Sequence, residues 1–180
     1  MGDHRNMLLD LTVAEARAEE HMVQVRDWLR RTAWSKADPE AYDESYEMYP
    51  ADSFGERSSR LFPGNGVYSF VPLYGIYTGG GDSYGPRCRE CGTEYDLDEA
   101  VQLAIAWSDS HVEPVLACAS CSRQEPMGDW EILGSLAVAS FAIIIDVHDH
   151  SLDPDLLIAA LREELRSQIG GRWVHMIENM

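Results

Sequence analysis

"SLAVASFAIIIDVH", residues 135–148, is the stretch on which the fold turns. It is dense in alanine, valine and isoleucine and carries no charge before Asp146. An apolar run without alternation reads as a strand covered on both faces, not as one half-exposed to water. The uncharged apolar stretch that contains most of it, 132–145, has 14 residues. A membrane-spanning helix needs about 20, so the run reads as a buried element.

On its C-terminal side, "LDPDLLIAALREELRSQIGG" (152–171) has every mark of a helix. Asp153 is placed to cap it and Pro154 suits the first turn. Leu157, Leu161, Leu165 and Ile169 fall on one face, and the glycines at 170 and 171 end it. "RWVHMIE" (172–178) closes the chain as a second strand. Strand, helix and strand in this length predict a βαβ unit with parallel strands and a right-handed crossover.

The N-terminal half supplies more elements. "TVAEARAEEHMVQVRDWLRR" (12–31) predicts the first helix, with Thr12 and Glu15 as a capping box. Ala14, Ala18, Met22, Val25 and Leu29 form its core face. "DPEAYDESYEMYP" (38–50) predicts a second, short helix packed through Tyr42, Tyr46 and Tyr49 and stopped by Pro50. After the turn "PGNG", the segment "VYSFVPLYGIYT" (67–78) predicts an edge strand or two short strands, since Pro72 and Gly75 interrupt it.

All four cysteines lie in two CxxC pairs, in "PRCRECG" (86–92) and "ACASC" (117–121). Each pair presents two sulfurs from one tight turn, and two pairs complete a tetrahedral shell for zinc. Cys88, Cys91, Cys118 and Cys121 are therefore the predicted ligands of one structural zinc ion. Over residues 86–125 the segment resembles the zinc-ribbon class of four-cysteine modules. Ser122 stands where the second knuckle of that class would carry a glycine matching Gly92. The gap also departs from a plain ribbon hairpin. "YDLDEAVQLAIAW" (95–107) predicts a helix with Asp96 and Glu99 as capping box and Leu97, Val101 and Ile105 on one face.

Charge narrows the partners. Fourteen basic residues against 31 acidic give a net charge of −17. Such a surface repels phosphate backbones and anionic lipid and steers basic proteins inward. The zinc-ribbon resemblance implies nucleic-acid contact, but Arg87, Arg89 and Arg123 face nine acidic residues within 83–130, so no nucleic-acid partner is expected. The N-terminus has no apolar core of signal-peptide length, and paired thiols suit a reducing compartment; the expected location is the cytoplasm.

Few catalytic arrangements survive. "GDSYG" (81–85) matches G-x-S-x-G, but glycines precede Ser83 and Pro86 follows, whereas a nucleophile elbow joins a strand to a helix. Lys36 is the only lysine, which removes a phosphate-binding P-loop. Asp146, His148 and His150 project to one side of an extended chain and are the one candidate for a second, catalytic metal site. The expected architecture is α+β, a single domain over 1–180. Helices pack on a mixed β-sheet with a C-terminal βαβ unit, and a zinc-knuckle subdomain is inserted at 84–126. The expected role is non-catalytic recognition of another protein, with a basic one the candidate that the charge suggests, in the manner of an inhibitor or immunity protein. The alternatives are a small metal-dependent enzyme using Asp146, His148 and His150 and, behind it, a nucleic-acid-binding zinc ribbon.

Overall fold

The computed structural model describes residues 4–81, 83–149 and 151–179. The N-terminal elements are β1 (His4–Asp10), α1 (Ala18–Arg31), β2 (Ser35–Lys36), β3 (Ala51–Phe54), α2 (Glu56–Leu61), β4 (Gly66–Val71) and β5 (Gly75–Thr78). The cysteine segment contributes α3 (Leu97–Ser110), β6 (Val115–Ala117) and β7 (Gln124–Pro126). Then come β8 (Leu136–Ala139), β9 (Ala142–Val147), α4 (Asp155–Gln168) and β10 (Trp173–Asn179). The fold is α+β. No helix among the described residues is long and apolar enough to cross a membrane.

The stretch 135–148 is two strands in two layers. β9 lies in a six-stranded sheet of order β10-β1-β9-β4-β3-β2, while β8 pairs with β5 in a separate two-stranded sheet. The chain turns the corner at Ser140 and Phe141, and the Phe141 carbonyl accepts from the Asp10 amide at 3.2 Å. β8 is buried throughout and β9 except for half-buried Asp146, and Ser140 and Phe141 are buried too, so burial runs on unbroken across the corner. Pro72 marks a similar change of layer between β4 and β5. Of the two readings of 67–78, two short strands is the one found, and β4 lies inside the main sheet between β3 and β9.

All pairings in the main sheet are antiparallel. β9 and β10 both run antiparallel to β1, which lies between them, so they share a direction as the strand–helix–strand pattern predicted without bonding to each other. α4 begins one residue later than expected: Pro154, not Asp153, is its N-cap, and Asp153 Oδ1 accepts from the Asp155 amide at 2.9 Å in the turn just before the helix. It ends at Gly170 and Gly171, which take φ of +84° and +88°.

Alternation along β9 builds one core on each face. Ile143, Ile145 and Val147 meet Val25 and Leu29 of α1 and Leu157, Leu161 and Leu165 of α4. Ala142 and Ile144 face the other way, into a cluster holding Ala137 and Val138 of β8, Ala104 and Trp107 of α3, and Cys88 and Cys118. Burying each of those leucines contributes about 1.5–3 kcal/mol. The cysteine segment thus packs on the sheet face opposite α1 and α4.

Two local expectations fail for a common reason, competition by aspartates. Thr12 does not cap α1: its amide and hydroxyl both donate to Asp10 Oδ1, at 3.0 and 2.6 Å. The helix starts only at Ala18, after a single 3-10 turn at Glu15–Arg17, and Ala14 is left exposed. Residues 38–50 form successive turns instead of a helix. Asp38 accepts from the Glu40 amide and the Ser53 hydroxyl, and Asp43 accepts from the Ser45 amide while pairing with Arg5 at 3.3 Å. Side chains that bond nearby backbone in this way offer it an alternative to the helical ladder. Tyr46 and Tyr49 still pack on the core, but Tyr42 is 55% exposed.

Candidate metal centre

The two cysteine turns are built alike. In the first, the Gly92 amide donates to the Cys88 carbonyl (2.8 Å) and the Cys88 amide to the Thr93 carbonyl (2.9 Å). In the second, the Ser122 amide donates to the Cys118 carbonyl (2.9 Å) and the Cys118 amide to the Arg123 carbonyl (2.8 Å). Each turn needs a left-handed residue after its second cysteine; Gly92 has φ +72° and Ser122 φ +61°. Ser122 therefore does in the second turn the backbone work that Gly92 does in the first. The hairpin of β6 and β7 carries the second turn, and single bridges from Arg87 to Glu94 and Glu131 brace the first. Thr93 Oγ1 lies 2.9 Å from Ser120 Oγ and joins the two turns directly.

All four sulfurs lie within 4.8 Å of one another. Cys88 and Cys121 are 3.7 Å apart, Cys91 and Cys118 3.4 Å. A disulfide would bring sulfurs to about 2.05 Å. A tetrahedral ion held at about 2.3 Å sets its ligand sulfurs about 3.8 Å apart, which this cluster matches. The residues present fit a four-coordinate metal ion. Cys88 and Cys118 are buried, Cys91 and Cys121 exposed at the rim.

The electrostatics favour a cation. Amides of Cys121 and Ser120 aimed at Cys118 outweigh its burial and hold its thiol down to about 6. Thr93 lowers Cys91 through its hydroxyl and amide. Cys121 moves the other way: the Arg123 amide lowers it, but burial and the neighbouring sulfurs prevail and push it up to about 12. Some sulfurs ionise readily and the last resists, until a cation shares their charge.

α3, between the two turns, is capped as expected, with Asp96 Oδ1 accepting from the Glu99 amide at 2.9 Å. Its buried face is Ala100, Ala104 and Trp107, flanked by Leu97 and Val101. Ile105, expected on that face, is 49% exposed. The small alanines let the helix approach the sheet closely, and a reading by large apolar residues passes over them.

Other candidate residues lie elsewhere. Asp146 is half-buried near the end of β9, and His148 is exposed just beyond it, its amide bonded to the Asn65 carbonyl at 3.0 Å. His150, the third of that trio, lies outside the described residues. Ser83 donates to the Gly80 carbonyl at 2.7 Å in a turn that no helix follows. No known family model, curated protein or solved structure matches this chain.

Proposed function

We propose that the cysteines hold one structural zinc ion and that the protein is a non-catalytic recognition module for a basic protein, acting as an inhibitor or immunity protein does. The observation that carries this reading is the donor set. Four thiolates close the coordination shell and leave no position for a substrate, so the metal staples the fold. Function then falls to the surface. The turns of 38–50 offer a suitable face, where Tyr42 (55%) and Met48 (79%) stand exposed among the exposed carboxylates of Glu40, Glu44 and Glu47. Aromatic and methionine anchors ringed by charge are what protein interfaces use.

The test has two arms. Protein purified under reducing conditions should contain one zinc per chain, and Cys88→Ser should lose it. Structural zinc contributes about 10–16 kcal/mol, comparable to or larger than the ~5–15 kcal/mol stability of a domain, so the loss should unfold at least the cysteine segment. Association with a basic partner should slow steeply with added salt and weaken when Tyr42 and Met48 become alanine. Zinc-free protein sinks the staple. An association rate indifferent to salt, or tight DNA binding at physiological salt, sinks the partner. A second, exchangeable metal lost in His148→Ala would support the enzyme alternative instead.

A further inference from the structure

The chain has thirteen arginines and Lys36. Nine of the arginines have a carboxylate within 4.0 Å among the described residues. That is what an excess of acid predicts. The other four are Arg31, Arg89, Arg162 and Arg166, and the last three line one cavity of about 420 Å³. They come from distant parts of the sequence. Arg89 sits between the two cysteines of the first turn, while Arg162 and Arg166 lie one helical turn apart on α4. From this convergence we infer that the cavity between the first cysteine turn, α4 and β10 binds a phosphate group, free or carried by a small molecule.

The donors are held in place and only partly used. Arg89 donates to the carbonyls of Asp129 (2.8 Å) and Trp130 (3.0 Å), and Arg166 to that of Trp173 (2.7 Å). Each guanidinium has five N–H groups, so both keep several for a ligand. Arg162 is half-buried, with no hydrogen-bond or carboxylate partner among the described residues. Burial, then the like charges of Arg166 and Arg89, hold its guanidinium below the ordinary value. An anion between the three would relieve that repulsion. Planar guanidinium forks match phosphate oxygens two at a time.

Two carboxylates also line the cavity, and both are engaged. Asp129 Oδ1 is 3.1 Å from Arg172 Nε, and Glu131 Oε1 accepts from the Leu133 amide at 2.8 Å. Arg172 is further held by Glu113, so it adds little net charge. The net −17 charge opposes an anion from afar, but salt at physiological strength screens charges beyond about 8 Å. The local set decides. Ile132, Leu133 and Val174 give one apolar wall, and the volume suits a nucleotide-sized molecule.

The test is calorimetric titration of zinc-loaded protein with AMP, adenosine, pyrophosphate and inorganic phosphate. AMP or pyrophosphate should bind one per chain and adenosine should not. Arg162→Gln should weaken binding about tenfold or more, the scale of one lost charge-assisted hydrogen bond. Because it removes a repulsive charge without breaking a bond, its melting temperature should stay level or rise. Arg60→Gln, whose guanidinium pairs with Glu56 elsewhere, should change neither. Inorganic phosphate binding as tightly as AMP would make the free anion the ligand. No binding of any probe at millimolar concentration overturns the inference, and so does binding unchanged in Arg162→Gln and Arg166→Lys.

Discussion

Exchanging the glycine and serine that close the two cysteine turns would show whether the metal centre is held by its backbone geometry. A Cβ added at Gly92 meets no atom within 4 Å, so Gly92→Ala changes only the conformational cost of φ +72°. The left-handed region costs an ordinary residue about 1–2 kcal/mol. Against this, alanine has less freedom to lose on folding than glycine, which returns about 0.5–1 kcal/mol. The net loss is about 0.5–1 kcal/mol. Ser122 starts from the opposite side at φ +61°, so Ser122→Gly should gain about the same amount. For a chain of this size each kcal/mol moves the melting temperature by about 2–4 °C. Thermal unfolding at fixed free zinc should therefore lower Tm in Gly92→Ala and raise it in Ser122→Gly. The double variant should fall near wild type, and Ser122→Ala should be neutral. A fall in Ser122→Gly would mean that the serine hydroxyl, not the backbone, matters there, and would refute the reasoning.

Asp52 is fully buried and takes hydrogen bonds from Arg26, Arg30 and Ser35; Asp52→Asn should cost about 3 kcal/mol in urea unfolding, and a loss below about 1 would show the pairs to be expendable. Burial opposes its charge, but the Arg30 and Arg26 bonds prevail and keep its pKa below 3.8, so its stabilisation is complete above that pH and falls as acid is added below it. His175 acts at higher pH: burial, then the Arg162 charge, lowers its pKa from 6.5 to about 4. The unfolded chain takes up that proton first, so stability is whole above about pH 6.5 and declines toward pH 4, by up to about 3 kcal/mol. His175→Gln should flatten that stretch of the Tm–pH curve, and an unchanged slope would exclude His175 as its source.

What could be read from the sequence was what neighbouring residues decide among themselves. The leucines at 157, 161 and 165 and the glycines at 170 and 171 act within or at the end of one helix, and α4 follows them closely, although it starts one residue later than Asp153 and Pro154 suggested. The CxxC spacing set each cysteine pair for the same reason, and the two pairs do meet in one cluster. Thr12 departs from the capping box because its competitor, Asp10, is held by groups outside that turn, the distant Arg172 amide at 3.2 Å and His21 of α1 at 3.2 Å. The corner at Ser140 was invisible because a uniformly apolar run has no period whose phase could shift. For the cavity, the signal available was two arginines four apart on one helix. Their meeting with Arg89 depends on how the cysteine segment docks on the sheet, which no local pattern encodes.

The metal centre and the arginine cavity are joined through one residue. Arg89 stands between Cys88 and Cys91, and its guanidinium reaches across to the carbonyls of Asp129 and Trp130, where the chain leaves the cysteine segment for β8. Its backbone is fixed by the turn that presents the two sulfurs, so whatever holds those sulfurs also aims the guanidinium. Arg162 and Arg166 are aimed independently, by a helix whose leucines are locked against β9. A rigid helix can hold two cations together only because its packing on the sheet outweighs their repulsion. The third cation needs a separate anchor, and the staple of four sulfurs is the anchor beside it. A metal held by those four sulfurs would have no open coordination position, yet it would bear on the proposed anion binding by fixing where the Arg89 guanidinium points.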